Sequence, residues 1–310
     1  GPSGMRAVRS DRTSYGVSFI GISLTAAFEA RGVARKMRVL RSRPACHPFG
    51  VGLRVARALA CAVAVRGGDG LDERREVTSR IHDVVAGSVP VLGAIGGMST
   101  GQALEHAAVA SHLRLDGLML AAPAYSLPTP TELAHHVSTV VAAAGLPTVL
   151  YDYPQRTGVP FSFDTLDQLA SNPLIVGIKE ASGDLTRPGE ITRRYAGAID
   201  VVCGADAAIV EFLHAGTRCW IGGIANLLPF AHVAILDPSS RADAHNAIAP
   251  VLTFIEAGQY NAKVKAGMAL RGLDVGKPRG PVTAIDDFTR NELNALLDAA
   301  GDWAPVLTTA

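Results

Sequence analysis

Charge is sparse in this sequence and aromatic rings are sparser. Charged residues make up 18% of the 310 and aromatic ones 5%, against 48% hydrophobic. So apolar a composition excludes disorder for most of the chain, because disordered segments lack the apolar surface that offsets the entropy of ordering. The length suits one barrel-sized domain with an appendage, or two ordinary domains. Neither sign of charge dominates: the formal net charge is +1, so no broad field draws the chain toward nucleic acid or a membrane surface. No apolar run approaches the ~18 uninterrupted residues of a membrane span. Cysteine is scarce as well. Cys46, Cys61, Cys203 and Cys219 show neither CxxC spacing nor the density of a disulfide scaffold, which points to reduced buried thiols in a cytoplasmic protein and away from zinc. Gly1 to Gly4, ahead of Met5, look like the remnant of a removed tag.

What is abundant is alternation. From Leu71 onward the pattern predicts helices at Asp72–Ala86, Thr100–Leu113, Pro130–Ala144, Phe163–Ala170 and Ala207–His214. Between them it predicts strands at Val89–Ala94, Gly117–Ala121, Pro147–Tyr151, Leu174–Lys179, Ile199–Cys203 and Cys219–Gly223. Apolar strands each followed by an amphipathic helix make a parallel sheet with helices outside it, and this many units favours an α/β fold of the closed (β/α)8 barrel type over an open doubly wound sheet. After Ile224 the pattern is wholly helical, over Ala231–Ala257, Tyr260–Leu273 and Asp286–Ala300. The barrel is therefore expected over residues 5–228 and a C-terminal helical domain over 229–310. Ser99 and Gln102 fit a helix capping box. His135 and His136, without ligand spacing to any acidic cluster, read as ordinary surface or interface histidines.

The stretch "NPLIVGIKEASGD", residues 172–184, reads as a buried strand that ends on Lys179. A solvated lysine is the plain reading. In a barrel, however, chemistry sits where strands end, and Lys179 and Tyr151 both stand there. A lysine attacks a carbonyl only when neutral, and an ordinary pKa of about 10.4 leaves roughly one in a few thousand in that form at pH 7. Burial at the end of an apolar strand lowers that value, and a neighbouring tyrosine hydroxyl can move the protons that imine chemistry requires.

"LYDYPQRTG" followed by "GIKEASGD" is similar to the dihydrodipicolinate synthase and N-acetylneuraminate lyase family, whose pattern is Y-N-x-P-x-R-T-G and then G-I-K-[DE]-[AS]-[ST]-G-D. "GAIGGMST", "APAYSLP", "CGADA" and "GLDVGKPRGP" extend the likeness from about Leu71 to the C-terminus. The resemblance implies a (β/α)8 barrel with a helical C-terminal domain, assembled as a homotetramer or homodimer. It implies a pyruvate-dependent lyase or aldolase acting through a lysine imine on a small 2-oxo acid and an aldehyde. Residue by residue, Lys179 matches the Schiff-base lysine, Tyr151 the proton-shuttling tyrosine, and Tyr125 the tyrosine that relatives pass across a subunit interface. Arg156 matches the arginine that holds the carboxylate of the incoming aldehyde, a task that suits a planar guanidinium fork. Gly204 and Ile221 match positions whose backbone lines the pyruvate pocket. No metal or organic cofactor is implied, because the protonated imine formed by pyruvate at Lys179 is itself the electron sink. Each residue also admits a plainer role: Tyr151 as a strand-end aromatic, Arg156 as a turn residue, Tyr125 as a core ring with its hydroxyl outward.

The departures are equally specific. The family's second strand ends in Gly-Thr-Thr-Gly-Glu, whose amides bind the pyruvate carboxylate, and here Cys61 to Val65 stand in its place. From Ala30 to Gly68 there is no acidic residue and nine are Arg or Lys. That text fits a coding segment read in a shifted frame between about Arg31 and Gly70; the alternative is a remodelled element with a basic face for a partner. Either way pyruvate binding is expected to weaken, since a buried carboxylate without donors is costly. Lysine-inhibited relatives carry Asn, Glu and Tyr where this chain has Met98, Gln102 and Ala124, which predicts no lysine feedback. Asp152 replaces the usual Asn after the tyrosine. Two rival readings remain: a 2-keto-3-deoxy-sugar-acid aldolase or dehydratase, and a catalytically impaired barrel kept as a scaffold.

Overall fold

The computed structural model describes residues 70–85 and 90–307 and, ahead of them, the strands β1 (Ser23–Leu24) and β2 (Ala60–Cys61). The segment that replaces the Gly-Thr-Thr-Gly-Glu motif, apart from Cys61, lies outside the described residues, as do Gly1 to Gly4, Cys46 and the expected ends at Ala86 and Val89. β1 and β2 pair antiparallel, against the parallel sense expected of barrel strands.

The main sheet holds β3 (Leu92–Ile95), β4 (Gly117–Ala121), β5 (Thr148–Asp152), β6 (Ile175–Glu180) and β7 (Asp200–Cys203) in chain order. Every neighbouring pair is parallel. α1 (Leu71–Val85) leads into β3, and the crossovers that follow carry α2 (Thr100–His112), α3 (Pro130–Ala144), the single turn α4 (Pro154–Thr157), α5 (Phe163–Leu169) and α6 (Arg187–Arg194). α7 (Ile209–His214) follows β7. Strict succession of βα units in one parallel sheet is the arrangement of the (β/α)8 barrel.

Side chains alternate across the strands, and the two faces of the sheet have different neighbours. Leu92, Met119, Val149, Val176, Val202 and Ile221 form one buried cluster on the interior face. Leu118, Leu120, Leu150, Ile178 and Val201 point the other way, into the larger core shared with the helices. β6 contains an irregularity that decides what reaches the interior. Thr148 pairs with Ile175 but Val149 pairs with Gly177, so Val176 is an extra residue, and from there on Tyr151 faces Lys179 and Asp152 faces Glu180. Such a bulge re-aims every side chain beyond it.

Helix ends follow local chemistry. Ser99 Oγ accepts from Gln102 N at 3.3 Å, while the Gln102 side chain accepts from Met98 N at 2.8 Å, one residue earlier than a reciprocal box requires. Thr129 and Glu132 make the full reciprocal box at the start of α3. Three expectations are corrected. Cys219–Gly223 is not a strand: Trp220 makes one parallel bridge to Cys203 before a turn. The helix expected over Ala231–Ala257 is two, α8 (Pro229–Leu236) and α9 (Arg241–Glu256), because Pro238 lacks an N–H and forces Asp237 out of the helical region. His136 is buried and shares a 2.9 Å hydrogen bond between its Nδ1 and Thr100 Oγ1, which ties α3 to α2; His135 is exposed. α6 was hidden by Pro188 and Gly189, and burial of Pro188 and Ile191 holds it in place. α10 (Tyr260–Leu270) and α11 (Asp287–Ala299) complete the helical appendage.

Candidate active site

Lys179 and Tyr151 stand opposite each other at the carboxyl ends of β6 and β5. The lysine is 8% exposed and its Nζ lies 4.1 Å from the centroid of the tyrosine ring. Two carboxyl-terminal strand positions, brought level by the bulge, thus place an amine and a phenol side by side on the interior face. Gly204, just past β7, closes the third side. A Cβ built on it would meet Lys179 Cγ at 3.0 Å and Glu180 O at 2.7 Å, so only glycine lets the chain pass this close. Its N–H donates to Glu180 O at 2.9 Å, and the N–H of Ile221 donates to Cys203 O at 3.0 Å. Ile221 is buried in the same interior cluster that Tyr151 packs against.

Arg156 is exposed on α4 and reaches back over Tyr153, its guanidinium carbon 5.5 Å from the ring centroid. Tyr153 in turn lies 5.9 Å from the Tyr151 ring. The arginine is therefore at the mouth and the lysine at the floor. Tyr125 is separate from both: it is 88% exposed, in a left-handed conformation with φ 72°. Among the described residues no group of three or more His, Cys, Asp or Glu is arranged to hold a metal, and no helix is long and apolar enough to cross a membrane.

Two buried acidic constellations flank the pair, and neither is legible as a site in the sequence. Asp206 follows Gly204 by two residues and is fully buried, accepting from Trp220 Nε1 at 2.8 Å and from the Tyr260 hydroxyl at the start of α10. Burial pushes its carboxyl up, against the pull of those two donors and of the Lys179 charge. Its own N–H donates to Glu256 at the end of α9, whose carboxyl burial also pushes up. The helical appendage thus supplies two groups to a cluster beside the lysine. One sequence signal for it exists in Gly222 and Gly223. A Cβ on Gly222 would fall 1.7 Å from Asp206 Oδ1, and one on Gly223 would fall 2.7 Å from the Tyr260 ring. Beneath Trp220, His232 stacks at 3.7 Å between ring centroids, and burial pushes it down to about 3, so it remains neutral. The second constellation is Asp152, Glu180 and Arg187, on the helix side of the same strand ends. Cys203 and Cys219 are free buried thiols, held well above their ordinary pKa by burial.

Residues 70–300 match the dihydrodipicolinate synthetase family. A 4-hydroxy-tetrahydrodipicolinate synthase of Thioalkalivibrio sulfidiphilus is 34% identical over 238 residues, 74% of this chain and 80% of that protein. An uncharacterized DapA-like lyase of Halobacterium salinarum is 31% identical over 235 residues, covering 74% and 77% of the two chains. Among solved structures, a chloride-inhibited dihydrodipicolinate synthase from Acinetobacter baumannii complexed with pyruvate superposes with a TM-score of 0.71 at 31% identity, over 76% of this chain and 82% of that one. The family match begins at Gly70, after the stretch in which the sequence departs from the family pattern.

Proposed function

Since the chain belongs to the dihydrodipicolinate synthetase family of lyases, we propose that it condenses pyruvate with a carboxylate-bearing aldehyde through an imine at Lys179, in the manner of 4-hydroxy-tetrahydrodipicolinate synthase. The observation that carries this reading is the buried Lys179 amine set over the Tyr151 ring at adjoining strand ends. In this scheme the neutral amine adds to the pyruvate ketone and water leaves, forming a protonated imine. Loss of a methyl proton gives an enamine, whose carbon attacks the aldehyde. In this reading Tyr151, whose ring lies beside the amine, delivers and removes those protons. Arg156, at the mouth, suits the carboxylate of the second substrate. It weighs modestly against a keto-deoxy-sugar-acid aldolase, because most relatives of that type do not carry arginine at this position of the motif. Tyr125, turned outward on its loop, suits a neighbour's site in a homodimer or homotetramer. The protonated imine that pyruvate forms with Lys179 is itself the electron sink, so no metal or organic cofactor enters the scheme.

The test is reductive trapping. Incubation with pyruvate and borohydride, followed by peptide mass spectrometry, is expected to place the adduct on Lys179 in the wild type and on no residue in Lys179→Ala. An unmodified Lys179 would leave a barrel without imine chemistry and favour the scaffold reading. Turnover with aspartate semialdehyde above that with glyceraldehyde is the expected preference, and the reverse order would move the protein to the sugar-acid aldolases.

A further inference from the structure

Asp152 and Glu180 face each other across β5 and β6, one position beyond Tyr151 and Lys179. Strand alternation sends them to the opposite face of the sheet, and both are fully buried. One cation lies between them. Arg187 donates from Nη2 to Asp152 Oδ2 at 2.9 Å and from Nε to Glu180 Oε2 at 3.1 Å, and Nη2 also reaches Phe161 O at 2.9 Å. The other carboxylate oxygens take backbone donors, Phe161 N on Asp152 Oδ1 at 3.2 Å and Ser182 N on Glu180 Oε1 at 2.6 Å. Of the other charged groups nearby, Asp184 accepts from Thr186 and also feels the Arg187 charge, while Asp167 of α5 holds Arg194 and the Tyr195 hydroxyl.

Two buried carboxylates and one guanidinium leave an uncompensated negative charge, and like charges directly opposite on neighbouring strands repel. A proton on Asp152 removes it. The family pattern places a neutral asparagine at 152, which leaves Arg187 a single carboxylate partner. We propose that Asp152, Glu180 and Arg187 form a positioning triad behind the Tyr151–Lys179 pair, whose charge state tunes that pair without touching substrate. The role rests on the lyase reading above. With both acids ionised, the extra negative charge favours the protonated imine at Lys179. Gain of one proton lifts that bias. Burial and the Glu180 charge push Asp152 up to about 6, against the pull of Arg187, which sets where the change falls.

The experiment compares wild type with Asp152→Asn from pH 5 to 8, by kcat/KM for pyruvate with aspartate semialdehyde and by melting temperature. The folded protein holds the Asp152 proton more tightly than the unfolded chain does. This group therefore subtracts stability as pH rises from the ordinary aspartate range through about 6. The expected results are an inflection near pH 6 in wild-type kcat/KM that Asp152→Asn lacks, and a melting difference that moves in favour of Asp152→Asn between pH 5 and 7. An inflection that persists unchanged in Asp152→Asn, or a melting difference that does not vary with pH, overturns the proposal. Wild-type Lys179 left unmodified by pyruvate and borohydride would instead retire the lyase reading, and the melting comparison would still decide whether Asp152 holds the extra proton.

Discussion

Gly204 lies against Lys179 so closely that a methyl group on its Cα would stand 3.0 Å from Lys179 Cγ and 2.7 Å from the Glu180 carbonyl oxygen. The lysine stem can yield; the carbonyl belongs to a strand and cannot. Gly204→Ala is therefore expected to shift the chain at the end of β7, to push the amine from its place over Tyr151 and to lower the melting temperature as well. A displacement of about 1 Å at a reacting centre lowers rates by about 100-fold. Initial-rate measurements beside a circular dichroism melt check this, and a variant that kept wild-type kcat/KM would contradict it.

Tyr151→Phe keeps the ring that Lys179 covers and removes only the hydroxyl. Loss of a positioned acid or base lowers kcat by about 10²–10⁴-fold. The fall should appear in kcat more than in KM, with the melting temperature nearly unchanged, because the interior cluster keeps its aromatic neighbour.

Arg187→Met deletes the cation that both Asp152 and Glu180 face. Leaving buried charge without its partner costs about 3–5 kcal/mol. Urea titration is expected to show a loss of that order. Adding Asp152→Asn should recover part of it, since one of the stranded carboxylates is then neutral; a double variant no more stable than Arg187→Met would show that the charges do not drive the loss.

Asp206→Ala strands the Trp220 indole N–H and the Tyr260 hydroxyl together. Each buried donor left without an acceptor costs about 1–3 kcal/mol. The loss should shrink in an Asp206→Ala, Tyr260→Phe double variant, where one of the two donors is gone. Strictly additive losses would argue against this account.

Lys179 and Tyr151 are legible in the sequence because each closes an apolar run. Asp206, Glu256 and Tyr260 are not, because no periodicity connects a loop after β7 to the ends of two helices about fifty residues further on. The glycines that make room for them sit in a turn, where glycine has many other reasons to occur. Arg187 is obscured differently: in "LTRPGE" it precedes Pro188 and reads as a loop residue, and only the buried acids of two strands give it a role. His136 differs from His135 by one position on a helix whose buried stripe admits one and excludes the other. The break at Pro238, by contrast, is written in the sequence plainly, and apolar periodicity on both sides runs over it.

The extra residue in β6 carries a consequence for misfolding. Regular pairing onward from Thr148 and Ile175 would set Ile178 opposite Tyr151 and Lys179 opposite Asp152. The ladder would be complete, and the ammonium would find acids instead of a phenol. Such a slipped isomer would be compact and inert, with its nucleophile neutralised on the wrong side of the wall. What selects against it is the aliphatic demand of the outer core for Ile178, so the chemistry of one residue is guarded by the greasiness of its neighbour.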